Sequence, residues 1–339
     1  ETNTDFLLSA TKDISPDFSL SAALGGNLLK QTRNSSDISA PELAVPGIYS
    51  LGNSRVALQA SSFRSEKRIN SLYGSASMGY KNVVFLDLTA RNDWSSSLPS
   101  DNWSYFYPGA NVSLILSELL DINKGSLSFL KARAGIARVG NDTDAYQLIS
   151  AYTAQTAVKG APSYSETATL ANASLKPEIS SSFETGIDAR FLNDRVGLEV
   201  TYYSTNSENQ ILPIPLSNTT GYTARIINAG LIKNWGTEVV LSGTPISTSS
   251  GFKWEVNINH TWARSEVKKL YTDPISGQEI KNYVLGSRYV TVEARVGERM
   301  GNMYGIGFQR VSSDPNSEYY DPTGQFVGQI VYNNSGKPV

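Results

Sequence analysis

Between positions 92 and 107 the chain gathers Asn92, Asp93, Trp94, Asn102, Trp103, Tyr105 and Tyr107. Aromatic faces stand there beside planar amides and a carboxylate. Such a set can stack on the C–H face of a sugar while the amides and the carboxylate take its hydroxyls, since a few fixed polar groups orient a ligand against an apolar wall. Asn92, Asp93, Trp94, Asn102, Trp103 and Tyr105 are therefore the candidate substrate-binding residues. The same side chains could also pack their own loop or form an aromatic girdle at a membrane surface.

Other constellations carry less chemistry. His260 is the sole histidine, and it falls on the apolar side of its segment, beside Trp262. No G-x-S-x-G elbow accompanies it, and zinc needs several His or Cys ligands. Glu184 and Asp188, with Arg190 adjacent, share one polar face. They could serve as a glycosidase acid pair or belong to a solvated ladder of charges. Asn141-Asp-Thr-Asp144 and the run Asp314, Asn316, Glu318 offer clustered oxygens of the kind calcium prefers, yet turns rich in Asn and Asp have the same composition. The glycines from Gly301 to Gly307 lack the strand, helix and lysine of a phosphate loop. The expectation is a protein without catalytic residues, metal or cofactor.

These residues sit among segments whose side chains alternate apolar and polar. Phe18, Leu20, Ala22, Leu24 and Leu28 oppose Ser19, Ser21, Gly25 and Asn27, and the same alternation recurs at 68–80, 83–91, 108–117, 127–138, 183–191, 196–202, 233–243 and 252–264. About nine strands follow, each long enough to cross a bilayer when tilted. Their polar faces carry full charges and their apolar faces carry none. The links alternate in length: Asn82, Asn193-Asp194 and Thr244–Gly251 are short, whereas 31–66, 94–107, 139–177 and 207–232 read as long loops. A membrane barrel keeps its long loops at one end; a soluble sandwich would bury the apolar faces of two sheets against each other.

Bulk properties agree with a barrel. The 339 residues carry a net charge of −2, which indicates no nucleic-acid partner. Cysteine is absent. Mean hydropathy is −0.25, as expected where only half of each strand must be apolar. The 18 Tyr and 5 Trp suit interfacial girdles or a sugar-binding surface. No targeting segment is visible, and both ends read as cut from a longer protein.

Several stretches resemble the SusC/RagA family of TonB-dependent outer-membrane transporters. They include Arg68-Ile-Asn-Ser-Leu-Tyr-Gly74, Leu88-Thr-Ala-Arg-Asn-Asp-Trp-Ser-Ser-Ser97, Asn102-Trp-Ser-Tyr-Phe-Tyr-Pro108 and Ala137-Arg-Val-Gly-Asn-Asp-Thr-Asp144. The likeness continues through Leu175-Lys-Pro-Glu178, Phe183-Glu-Thr-Gly186, Gln210-Ile-Leu212, Asn228-Ala-Gly230 and Gly236-Thr-Glu238, and ends near Val296-Gly-Glu-Arg-Met-Gly301. The resemblance implies an all-β fold: a transmembrane antiparallel β-barrel, here a partial segment of the 22-stranded plugged kind, with long extracellular loops. It further implies a Gram-negative outer membrane, a SusD-like lipoprotein lid, and energy from the TonB complex through a plug region outside residues 1–339. The cargo would be an oligosaccharide or a peptide, and lipid would bathe the outer face. On that reading strands span about 17–264 and 265–339 form an incomplete extracellular loop region. The alternative is a soluble all-β carbohydrate-binding or adhesin module.

Overall fold

The computed structural model describes residues 1–122, 126–272, 277–287, 290–305, 307–333 and 335–339. The chain runs back and forth as β1 (Thr2–Ser15), β2 (Phe18–Ser39), β3 (Gln59–Tyr80), β4 (Val84–Ser95) and β5 (Ser104–Ile115). A one-turn helix, α1 (Leu116–Leu119), leads to β6 (Leu127–Asn141). The next link holds the hairpin β7 (Tyr152–Val158) and β8 (Ala161–Glu166), then the two-residue β9 (Thr169–Leu170). The long strands resume with β10 (Glu178–Phe191), β11 (Val196–Pro215), β12 (Ala224–Ser247) and β13 (Lys253–Lys269). All the long strands form one sheet in sequence order, β1 to β6 and then β10 to β13, and β9 adds a parallel bridge to β12.

Turn chemistry fixes one end of this meander. Lys81 and Asn82 both take positive φ, as a two-residue hairpin turn of matched twist requires. Leu192, Asn193 and Asp194 do the same between β10 and β11. The opposite end carries 40–58, 96–103, 142–177 and 216–223.

Three expectations need correction. The opening residues form a full strand, β1, paired with β2 from Thr2↔Lys30 onward. Its adjacent Leu7-Leu8 and Lys12-Asp13 break the alternation, so the sheet has one strand more than periodicity shows. Nearly half of the presumed loop 31–66 is strand: the ladder continues through Arg33↔Ser65 to Ser39↔Gln59. Likewise β11 and β12 stay paired out to Pro215↔Ala224, deep into the presumed loop 207–232. In the β2–β3 extension water wets both faces, whereas Ile214, Ile226, Ile227 and Ala229 of the β11–β12 extension are buried in apolar clusters with loop side chains. In both, hydrogen bonding persists where the alternating stripe stops.

Within the sheet the two faces separate cleanly. Leu8, Leu24, Leu72, Leu88, Val112, Ile136, Ile187, Val200, Leu241 and Ile258 form a belt on one side, and all of them are exposed. No second sheet covers them among the described residues. An uncovered belt of this breadth is foreign to soluble monomers and is what a lipid-facing barrel wall requires. The other face holds Asp5, Asn27, Ser71, Arg91, Asp93, Arg133, Glu184, Glu199 and Glu238. There Tyr73 lies so close over Gly25 that a Cβ would sit 2.6 Å from its ring; glycine lets the aromatic ring lie flat on the wall.

Leu88→Arg or Leu198→Arg should cost about 2–4 kcal/mol near midplane and block barrel assembly, whereas Ser77→Arg, on the exposed polar face, should assemble. Heat-modifiable migration in gels reads this out, and equal assembly of all three variants would remove the lipid-facing assignment. Thr201, also on the polar face, is a poor control because it is buried and accepts a 2.6 Å hydrogen bond from Arg133 Nη2.

Candidate functional site

The residues singled out between 92 and 107 divide between the two faces. Alternation along β4 sends Arg91 and Asp93 inward and Asn92 and Trp94 outward. Asp93 accepts 2.8 Å from Arg91 Nε and 2.5 Å from the Tyr107 hydroxyl, while Arg91 Nη2 reaches Ser71 Oγ at 2.8 Å. Tyr105 stacks near Tyr107 with ring centroids 6.0 Å apart. It is buried with Leu98, Leu175 and Ile226. Asn92 instead donates to Ser104 Oγ at 2.9 Å, and Trp94 pairs with Asn70 and Ser104 on the belt side, where aromatic side chains suit the membrane interface. Asn102 Nδ2 reaches across to the Leu175 carbonyl at 3.1 Å. Trp103 keeps 49% of its surface exposed.

A second cluster joins this loop to the long link after β6. Asp142 takes Lys67 Nζ at 2.5 Å on one oxygen. Its other oxygen takes the Ser95 hydroxyl, and Ser97 Oγ at 3.2 Å. Ser95 and Ser97 are buried, and the Asp142 side chain is only 6% exposed. The backbone follows suit: Ser96 N donates to the Arg68 carbonyl, and Arg68 N to Ser96 Oγ, both at 2.9 Å. Composition shows Asn141-Asp-Thr-Asp144 as a pool of oxygens; in the fold Asp142 faces an ammonium group, and Asn141 Nδ2 donates to Glu178 at 3.2 Å. Asp314 likewise folds back on Asn316 N at 2.9 Å.

A third cluster fastens the far end of the link. Asn228 exchanges hydrogen bonds with the Lys176 backbone, N to Oδ1 at 2.8 Å and Nδ2 to O at 2.7 Å. Glu178 Oε1 accepts the Ile211 amide at 2.8 Å, and Leu175 is fully buried. Both ends of 142–177 are thus tied to the wall by polar contacts, and those of Asp142 are the more buried, where a low local dielectric strengthens them.

Lower on the same face, Arg133 lies along the wall beside Gly186. It pairs with Glu199 at 2.7 Å and stands 3.8 Å from Glu184. Asp188 faces Lys131 and Glu199 across the ladder, while Arg190 stacks over Phe129 at 5.1 Å. The acid pair read from sequence is therefore divided among basic neighbours. His260 sits opposite Val239, exposed on the belt side.

Past β13, short strands β14 (Tyr271–Thr272) and β15 (Glu279–Ile280) pair, and β16 (Asn282–Ser287), β17 (Thr291–Arg295) and β18 (Asn302–Tyr304) form a small sheet. Val267, Leu270 and Ala294 pack it onto the end of β13, and Tyr283 donates to the Pro213 carbonyl at 2.7 Å. Hydrogen bonds from Arg295, then Thr291, hold Glu293 below the usual carboxylate range; the Tyr304 hydroxyl and Asn302 do the same for Glu298. Gly301 turns at positive φ between β17 and β18; Ile306, in the glycine run, lies outside the described residues.

A sheet whose long strands are all antiparallel, with a bare apolar belt, a charged inner face and long loops tied inward at one end, defines a barrel wall. Residues 2–337 match the TonB dependent receptor-like, beta-barrel family. The chain belongs to that family. TonB-dependent receptor P3 of Formosa agariphila is 25% identical over 303 residues, covering 85% of this chain and 29% of that protein. TonB-dependent receptor SusC of Bacteroides thetaiotaomicron is 26% identical over 292 residues, covering 83% and 27%. The chain therefore spans less than a third of these relatives. The RagAB peptide importer in its closed-closed state shares the fold at a TM-score of 0.77 with 19% identity, covering 99% of this chain and 36% of that one. The outer-membrane transporter YddB of Escherichia coli aligns at 0.53 with 13% identity over 79% of this chain and 34% of that one.

Two expectations follow from the ties. Asp142→Asn removes a charge-assisted contact worth about 1.5–3 kcal/mol and should speed amide exchange across 142–177 while leaving β10–β12 protected; unchanged exchange there would show that the aspartate does not hold the loop. Because Glu293 and Glu298 are depressed, their contribution is present above the unfolded carboxylate pKa and lost as pH falls through the lower folded values. Exchange protection of 291–304 should persist through mild acid and drop only in strong acid.

Proposed function

We propose that this chain forms part of the wall and mouth of a Gram-negative outer-membrane importer that takes up oligosaccharides or peptides. A SusD-like surface lipoprotein would cover the mouth, and the TonB complex would supply energy through a plug region. The uncovered apolar belt opposite a charged inner face carries this reading, together with membership of the receptor barrel family. Two similar proteins support this reading: one is named TonB-dependent receptor SusC, and the other, which shares the fold, is the RagAB peptide importer. Spanning strands over about 17–264, joined by β1, would enclose the lumen, and 265–339 would build the extracellular rim. The residues act by passage and recognition, with no bond-breaking step assigned to them.

Within the candidate set, cargo contact falls to Trp103, the most exposed of the six. Asp93, Tyr105 and Asn102 hold its loop through the contacts to Tyr107, Leu175 and Arg91. Asn92 and Trp94 flank it at the membrane surface. A soluble carbohydrate-binding module would need a cover over Leu24, Leu88, Ile136 and Val200, and these remain bare.

Trp103→Ala in the full-length protein should weaken cargo capture by about 0.5–1.5 kcal/mol, the scale of an aromatic contact. Barrel assembly should be unchanged. Surface binding of labelled oligosaccharides and oligopeptides to whole cells tests this, and undiminished capture of both would remove Trp103 from the site.

A further inference from the structure

The link after β6 does more than close over the wall: residues 143–150 divide the mouth into two adjoining clefts that share Asp144 and Gln147. One, of about 510 Å³, is walled by Tyr146, Ile149, Ile211, Pro213 and Ile226. The other, of about 440 Å³, mixes the polar Glu1, Gln31, Arg33 and Lys67 with the ring of Phe63. Lys67 is already held by Asp142. By contrast, the side chains of Asp144, Gln147 and Arg33 make no hydrogen bond or ion pair among the described residues. Tyr146, between the two shared residues, stands at φ +68°, a conformation costly for a bulky side chain. Its hydroxyl is fixed by the Glu66 amide at 3.2 Å, so the segment is held in this strained form by the wall. Ile149 is 78% exposed, an aliphatic side chain presented to solvent at the rim of the cleft.

We propose that these paired clefts form a binding site for oligopeptides bearing aliphatic side chains. This rests on the importer reading and narrows its cargo. Branched aliphatic walls at Ile149, Ile211 and Ile226 match a leucine-like or isoleucine-like side chain, and the discrimination against a sugar rests on charge. The uncommitted Asp144 carboxylate takes an ammonium group and the Arg33 guanidinium takes a carboxylate in a two-pronged contact. A peptide supplies both charges next to an apolar side chain; a neutral oligosaccharide supplies neither. Gln147, between the two clefts, can bond a peptide backbone from either side.

The test uses full-length protein in detergent and short peptides rich in leucine and isoleucine, labelled on an internal cysteine side chain so that both termini stay free, followed by fluorescence polarisation. Ile149 and Asp144 are exposed, so Ile149→Ser and Asp144→Asn should fold as the parent does. Ile149→Ser should weaken binding about tenfold, equivalent to about 1.4 kcal/mol. Asp144→Asn should abolish the preference for a free amino terminus over an acetylated one. Equal affinity in the parent and both variants overturns the site, as does tighter binding of linear glucose oligosaccharides than of any peptide. Peptide binding sensitive to both variants, in a protein that moves no cargo into vesicles, supports the clefts and removes the importer reading. Peptide uptake indifferent to the variants does the reverse.

Discussion

Hydrocarbon offers no partner for a backbone N–H or C=O, and each one left bare there costs several kcal/mol. That constraint governs this chain. It explains why the long strands pair in strict sequence order with few register breaks, and why turns at one end are as tight as Lys81-Asn82. It also explains why side chains alone distinguish lipid from lumen. Among the described residues β1 and β13 are the sheet's two edges, and hydrocarbon tolerates neither without a further strand beside it.

Once the ladder satisfies the backbone, the inner face is free to carry charge. Arg133 lying between Glu184 and Glu199, and Arg91 bonding Asp93 and Ser71, show how the wall balances that charge locally. The same polar chemistry is reused above the membrane for a different purpose. Asp142 and Asn228 tie the two ends of one long link to four strands, so that a segment without a continuous core of its own still takes a defined path. Apolar packing at the mouth comes in small separate clusters, around Tyr105 and Leu175, around Ile214 and Ile227, and around Val267 and Leu270.

The spanning part of this architecture is legible in the sequence because its two environments differ so sharply. Val84, Leu86 and Leu88 alternate with Asp87 and Thr89 for no reason but lipid on one side and water on the other. Where both sides are wet, the pattern vanishes though the hydrogen bonds continue, which hides the outer halves of β2 and β3. In β11 and β12 adjacent buried residues such as Ile226 and Ile227 break the two-residue period instead. The opening strand is obscured by Leu7 beside Leu8. The site is harder to read still. Lys67 and Ser95 lie 75 and 47 residues from Asp142, so nothing local marks the aspartate as the partner of either. The aromatic cluster at 92–107 is visible as composition, but only the register of β4 on β5 shows which members look inward.

The extended ladders have a geometric consequence. At about 3.3 Å per residue, the 22 residues of β3 measure roughly 70 Å along the strand. Crossing an apolar band roughly 25 Å tall at a tilt near 45° uses only about half of that. The remainder stands as a stiff chimney above the headgroups. Whatever reaches its top is met well clear of the lipid surface, by rigid hydrogen-bonded wall instead of by floppy tethers.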